Sequence, residues 1–129
     1  MPKKTIFIAD DEPYVIRSLS FVLQREGYHV ESASDGQEAL AKIETLKPEL
    51  VFLDLMLPRL DGFEVCRRIK NRSDLHSIYV IILTARGQQE DQQKGLGAGA
   101  DAFMTKPFSP KEIIEMLREV FGPSEPPRQ

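Results

Sequence analysis

The chain has 129 residues, enough for one domain with a substantial core. Its net charge of -3, with 41% hydrophobic and 29% charged residues, is that of an ordinary globular protein and supplies no field to recruit nucleic acid or an anionic membrane. Cys66 is the only cysteine, which excludes an internal disulfide and fits a reducing compartment; the first apolar run stops at Asp10, too early for a signal peptide or membrane span, so a cytoplasmic location is expected.

In chain order, short apolar runs alternate with stretches of helical period. Residues 5–9 predict a buried strand. Pro13 suits a first helical turn, and Val15, Ile16, Leu19, Val22 and Leu23 share one helix face that Gly27 ends. A less apolar run at 28–33 predicts an edge strand. Ser34 with Gln37 reads as a capping box for a helix carrying Ala39, Leu40, Ile43 and Leu46, closed by Pro48. Strand three is expected over 50–53, and a third helix carries Phe63, Val65, Cys66 and Ile69. Strand four, at 78–83, is the most apolar. From Arg86 to Gly95 the chain has no large apolar residue, so a helix there should be the least firmly docked. A short fifth strand at 102–105 precedes a capping box of Ser109 and Glu112, with Pro110 at the first helical position. Ile113, Ile114, Leu117, Val120 and Phe121 form the last helical face.

Five such units imply a parallel sheet covered by helices on both faces. The segment "GPSEPPRQ" has no apolar periodicity, so the reading is a domain over 1–121 and a disordered tail or linker stub over 122–129.

Ligands of open parallel sheets bind beyond the carboxyl ends of the strands. Strand one ends in Asp10, Asp11 and Glu12, strand three in Asp54, strand four in Thr84 and strand five in Lys106. Each residue alone has an ordinary role as a cap, turn or solvated side chain. Four on one rim form a set. Two carboxylates about 4 Å apart at an effective dielectric near 20 repel by ~4 kcal/mol, so the cluster asks for a cation. Oxygen-only ligands with open positions suit Mg²⁺, and a lysine with a threonine hydroxyl opposite the metal would cradle a phosphoryl group. Asp54, central among them, can serve as the nucleophile of an aspartyl phosphate.

These residues resemble the response-regulator receiver domains of two-component signalling. The resemblance covers roughly residues 4–121. It is carried by Asp10-Asp11, "DLMLPRLDG", "LTAR" at 83–86 and "GADAFMTKPF" at 99–108, and its wording is closest to receivers of winged-helix transcription regulators. It implies an α/β fold, a flavodoxin-like (βα)5 doubly wound parallel sheet of strand order 2-1-3-4-5. It implies that Asp54 accepts a phosphoryl group from a sensor histidine kinase or phosphotransfer protein, the chain catalysing only its own phosphorylation and dephosphorylation. By the same resemblance Asp11, Asp54 and the carbonyl of Met56 would ligate Mg²⁺, with Asp10 acting through water. Lys106 would pair with phosphoryl oxygens, Thr84 and Phe103 would form the switch, and the Lys106-Pro107 peptide would be cis. Signalling would run through the fourth helix, fifth strand and fifth helix to a downstream protein or output domain, without direct contact to nucleic acid or membrane, as a monomer or a weak phosphorylation-dependent dimer.

The pattern also departs from that subfamily. Its dimers use charge pairs on that face, and Asp101 is kept. Ala102 replaces a second acid, however, and Gln92, Met116 and Pro123 stand where basic partners are usual, leaving Glu112 without one. Two other readings use the same rim. A flavodoxin-like binding module needs a phosphate loop after strand one, where Asp10, Asp11 and Glu12 would repel phosphate without a metal. A haloacid-dehalogenase-type phosphatase needs an acid two residues after its nucleophile, where Met56 stands.

Overall fold

The structure, a computed structural model, describes residues 3–85 and 89–122, with the side chains of 89–92 outside that description. Its elements are β1 (Thr5–Ala9), α1 (Pro13–Arg25), β2 (His29–Ala33), α2 (Gly36–Leu46), β3 (Leu50–Asp54), α3 (Gly62–Lys70), β4 (Tyr79–Ala85), α4 (Gln89–Gly97), β5 (Ala102–Lys106) and α5 (Pro110–Phe121). All four strand pairings are parallel, in the order β2-β1-β3-β4-β5, the flavodoxin-like arrangement expected.

Both faces of the sheet are covered, because alternate residues of each inner strand are apolar on both sides. Phe7, Val51, Leu53, Val80 and Ile82 pack with Ile43, Val65 and Ile69 on the side of α2 and α3. Ile8, Phe52, Ile81 and Leu83 pack with Leu19, Leu23, Ile113 and Leu117 on the side of α1 and α5. A fully buried side chain of this size stabilises by about 2 kcal/mol relative to exposure, so these two layers anchor the rim residues.

Several boundaries differ from expectation for identifiable reasons. The cap of α2 is Asp35, not Ser34: Asp35 Oδ1 accepts from the Glu38 amide at 2.7 Å, and Glu38 reaches back to the Ser34 amide at 3.4 Å. The cap moves one residue because aspartate caps as well as serine, and Glu38 serves the amide before the cap rather than the cap's own. Tyr28 lies outside β2; its ring packs 5.7 Å from that of Phe121. Strands three to five run on to include Asp54, Thr84 and Lys106, since the ladders continue through Asp54 with Leu83, Thr84 with Thr105, and Ala85 with Lys106. At α5, Ser109 and Glu112 form the expected reciprocal cap.

The helix α4 docks differently from its neighbours. Among its described side chains the buried position is Gly95, while Gln93 is exposed and Leu96 is 63% exposed. A Cβ built on Gly95 would stand 2.6 Å from the Phe103 ring. The glycine that weakens helix propensity is what lets α4 lie against that ring. Residues 86–88, part of the polar stretch, and 123–129, the expected tail including Pro123, lie outside the described residues, as does the side chain of Gln92.

Candidate functional site

The ends of β1, β3 and β5 bring together Asp10, Asp11, Glu12, Asp54 and Lys106. Carboxylate oxygens of the four acids all lie within 4.8 Å of one another. Asp10 is fully buried, Asp54 and Thr84 are buried, and Asp11 is exposed. Lys106 Nζ lies 2.8 Å from Asp10 Oδ2, 3.1 Å from Glu12 Oε1 and 3.5 Å from Asp54 Oδ2. Asp10 Oδ1 accepts from the Glu12 amide at 2.9 Å, and Asp54 Oδ1 accepts from the Met56 amide at 3.1 Å. The approach of Lys106 to Asp10 Oδ2 lacks hydrogen-bond alignment, so that buried oxygen has a nearby charge but no directed donor.

The turn after β3 holds Asp54 in place. The Gly62 amide donates to the Leu55 carbonyl at 3.0 Å, and a Cβ at residue 62 would stand 2.3 Å from the Asp54 carbonyl oxygen. The Asp61-Gly62 pair therefore closes the loop under the acid and opens α3, with Asp61 capping it through the Glu64 amide at 3.0 Å.

Burial lifts the Asp54 carboxyl above its ordinary value; the Met56 amide and Lys106 oppose that lift, while Asp10 and Asp11 add to it. For Lys106, burial alone would favour the neutral amine, but Asp10, Asp54 and Glu12 together hold its pKa above the usual value. The site thus carries four acids against one ammonium, and its buried Asp10 oxygen still lacks a donor. That donor set fits a hard divalent cation, and Asp10, Asp11 and Asp54 are the residues able to hold it.

Thr84 sits at the end of β4, one residue past the ladder partner of Asp54 and beside Thr105 in the ladder. The Met56 side chain is 78% exposed, so its backbone is what faces the site. The Lys106-Pro107 peptide is cis. Phe103 is not part of the acidic cluster; its half-buried ring lies against Gly95 and packs on the α2–α3 side of the core. Asp101 is committed within the domain, accepting from Lys70 at 2.6 Å and from the Val80 amide at 2.8 Å.

Sequence reasoning left Glu12 without a role. It occupies the N-cap of α1 without capping it, and its carboxylate turns to Lys106 instead. Lys106 first, then the Tyr14 hydroxyl, holds it below the usual carboxylate range. The available signal was an acid at a cap position directly after a candidate ligand pair.

A family model described as the response regulator receiver domain matches residues 6–118. The alkaline phosphatase synthesis transcriptional regulatory protein PhoP of Bacillus subtilis is 45% identical over 122 residues, covering 95% of this chain and 50% of that protein. The chain spans about half the length of the curated relatives it matches. Among solved structures, the chemotaxis protein CheY4 of Vibrio cholerae aligns with a TM-score of 0.86 at 30% identity, over 93% of this chain and 100% of that one. The receiver domain of the sensor histidine kinase PA1611 of Pseudomonas aeruginosa, described with a magnesium ion coordinated in the active site cleft, aligns with a TM-score of 0.86 at 28% identity over 95% and 100%.

Proposed function

Since the chain belongs to the response-regulator receiver-domain family, we propose that it takes a phosphoryl group from a histidine kinase or phosphotransfer protein onto Asp54, with Mg²⁺, and signals through the face formed by α4, β5 and α5. The observation that carries this is the convergence of Asp10, Asp11, Glu12 and Asp54, with the ammonium of Lys106 within 3.5 Å of three of them. Receiver domains are not enzymes in the ordinary sense; the chemistry proposed is the chain's own phosphorylation and dephosphorylation.

The ionised Asp54 carboxylate attacks phosphorus, forming an oxygen–phosphorus bond as the bond to the donor nitrogen breaks. Its Oδ1 is fixed by the Met56 amide, which orients the carboxylate, and its Oδ2 faces Lys106. Lys106 then exchanges carboxylate neighbours for phosphoryl oxygens, and Thr84, one strand over, supplies a hydroxyl. Magnesium held by Asp10, Asp11 and Asp54 would neutralise the phosphoryl charge and lower the repulsion among the acids.

The test is intact-mass analysis after incubation with acetyl phosphate and MgCl2. One added phosphoryl group is expected, lost in Asp54→Ala, blocked by chelation and slowed in Lys106→Ala. Labelling that survives Asp54→Ala would place the acceptor elsewhere. Turnover of a stable phosphomonoester would favour the phosphatase reading instead.

A further inference from the structure

We propose that Glu12 is a positioning residue for Lys106: it holds the ammonium beside Asp54 when a divalent cation takes up the three aspartates, and so sets the rate at which Asp54 is phosphorylated. This rests on the phosphoacceptor reading of Asp54 and adds a residue that acts through the lysine.

The lysine needs a holder. Its charge is a compact point on a flexible four-carbon stem, with no fixed direction of its own. Three carboxylates lie within 3.5 Å of Nζ, and they are not equivalent. Asp10 stands at 2.8 Å without hydrogen-bond alignment. Asp54 is the most distant, at 3.5 Å, and is itself the group to be modified. Glu12, at 3.1 Å, accepts the one hydrogen bond that the Lys106 ammonium donates among the described residues. A cation on Asp10, Asp11 and Asp54 would repel the ammonium beside it. Glu12 belongs to the same acidic cluster, but its carboxylate is already turned to the lysine. It is the acid left to keep Lys106 in place.

The local chain frees Glu12 for this task. It stands at the N-cap of α1, where a side chain ordinarily accepts from the helix amides, and it makes no such bond. Pro13 brings no amide, and the Val15 and Ile16 amides reach the Glu12 carbonyl instead, at 3.0 and 3.3 Å. The start of the helix therefore asks little of the Glu12 side chain. Serine and aspartate, the ordinary caps, have a shorter reach. The main chain beneath is fixed, because the Glu12 amide donates to Asp10 Oδ1 at 2.9 Å. Glu12 is thus tied to the buried end of β1 and reaches across to the end of β5. Its side chain is 40% exposed and that of Lys106 20%. Lys106 can therefore move from Glu12 to phosphoryl oxygens and leave behind a carboxylate that water solvates, not a buried unpaired charge.

The test is a double-mutant cycle read by rate. Wild type, Glu12→Ala, Lys106→Ala and the double variant are treated with phosphoramidate over a range of MgCl2 up to saturation, and label is followed by intact mass. In each turnover the phosphorus–nitrogen bond breaks and ammonia leaves as the bond from Asp54 oxygen to phosphorus forms. At saturating MgCl2, Glu12→Ala is expected to slow labelling about fivefold to tenfold when Lys106 is present and less than about twofold when it is alanine. Glu12→Gln keeps an oxygen able to accept from the ammonium and should recover part of the rate. Equal slowing in both backgrounds, or none, overturns the proposal. So does a defect that vanishes as MgCl2 is raised, which would make Glu12 a metal ligand. A second readout needs no phosphorylation: side-chain NMR order at Lys106 Cε, with MgCl2 alone, should be high in the wild type and fall in Glu12→Ala. Equal order in the two proteins also overturns the proposal. A wild type that takes no label ends the phosphoacceptor reading, and the order measurement alone then decides whether Glu12 holds Lys106.

Discussion

Two lysines sit at opposite ends of the sheet with nearly equal exposure, 15% for Lys70 and 20% for Lys106, and in very different company. Lys70 donates to the carbonyls of Ile78 at 2.6 Å and His76 at 3.1 Å and pairs with Asp101, whose same oxygen also accepts from the Val80 amide. One positive charge meets one negative charge, and the lysine's donors are used. Lys106 lies within 3.5 Å of three acids of a four-acid cluster, one of them with a buried oxygen that no aligned donor serves. A closed charge set holds the entry of β4 and β5 together. A surplus of one sign leaves the other rim short of a cation and therefore ready for one. Burial alone does not mark a site; imbalance among buried charges does.

The comparison can be broken most directly at the closed end. Asp101→Ala leaves Lys70 half-buried without its counter-ion. Removing one partner of a fully buried pair costs about 3–5 kcal/mol, and the partial exposure here reduces the expected loss to about 2–3 kcal/mol by denaturant titration. A loss near zero would show that the Lys70 carbonyl contacts suffice alone.

At the open end the changes should have the opposite sign. Mg²⁺ at ten times its dissociation constant should stabilise the wild type by about 1.4 kcal/mol through mass action. Asp54→Asn should raise the stability of the metal-free chain by about 1 kcal/mol, since a buried carboxylate among other acids is replaced by a neutral amide. The gain from Mg²⁺ should also shrink in that variant. If Asp54→Asn and Asp101→Ala are equally destabilising, the two rims do not differ as described.

The smallest effect separates thiol from thiolate. Cys66 is buried on α3 beside the closed rim, its Sγ 3.6 Å from the Ala98 carbonyl, and burial pushes its pKa up to about 11 from 9.0. The unfolded thiol ionises first, so between pH 9.0 and about 11 the folded state holds the extra proton and stability falls as pH rises. Below that window both states are protonated and the group contributes no pH dependence. Cys66→Ala should therefore lose stability less steeply than wild type across the window, by about 1 kcal/mol or less in total after allowing for relaxation. Parallel curves would indicate that the folded thiol titrates normally.

The five βα units were readable because each strand and helix declares its own period, and the rim was readable because strand ends in a parallel sheet all open on one side. What escaped depended on contacts between distant segments. Glu12 and Lys106 are 94 positions apart, and an acid at a helix cap normally turns to the amides behind it. Asp101 read as an interface acid, and nothing in the sequence singled out Lys70; only the fold shows that they meet. Aspartate caps as readily as serine, which is why the start of α2 was misplaced by one residue.

Gly95 read as a weakness, and its place against Phe103 has a different consequence. Most surface helices are fastened by side chains they insert into their neighbours. At this point α4 inserts nothing; it offers a notch, and the ring belongs to β5. The fastening is thus owned by the strand, and turning that ring would free the helix without exposing any apolar group of the helix itself. The notch also has only one natural occupant on its own side. A methyl group added at residue 95 would meet the ring at 2.6 Å, so ring and helix cannot be varied independently: Gly95→Ala should be tolerated when Phe103 is shortened to leucine and resisted when it is not.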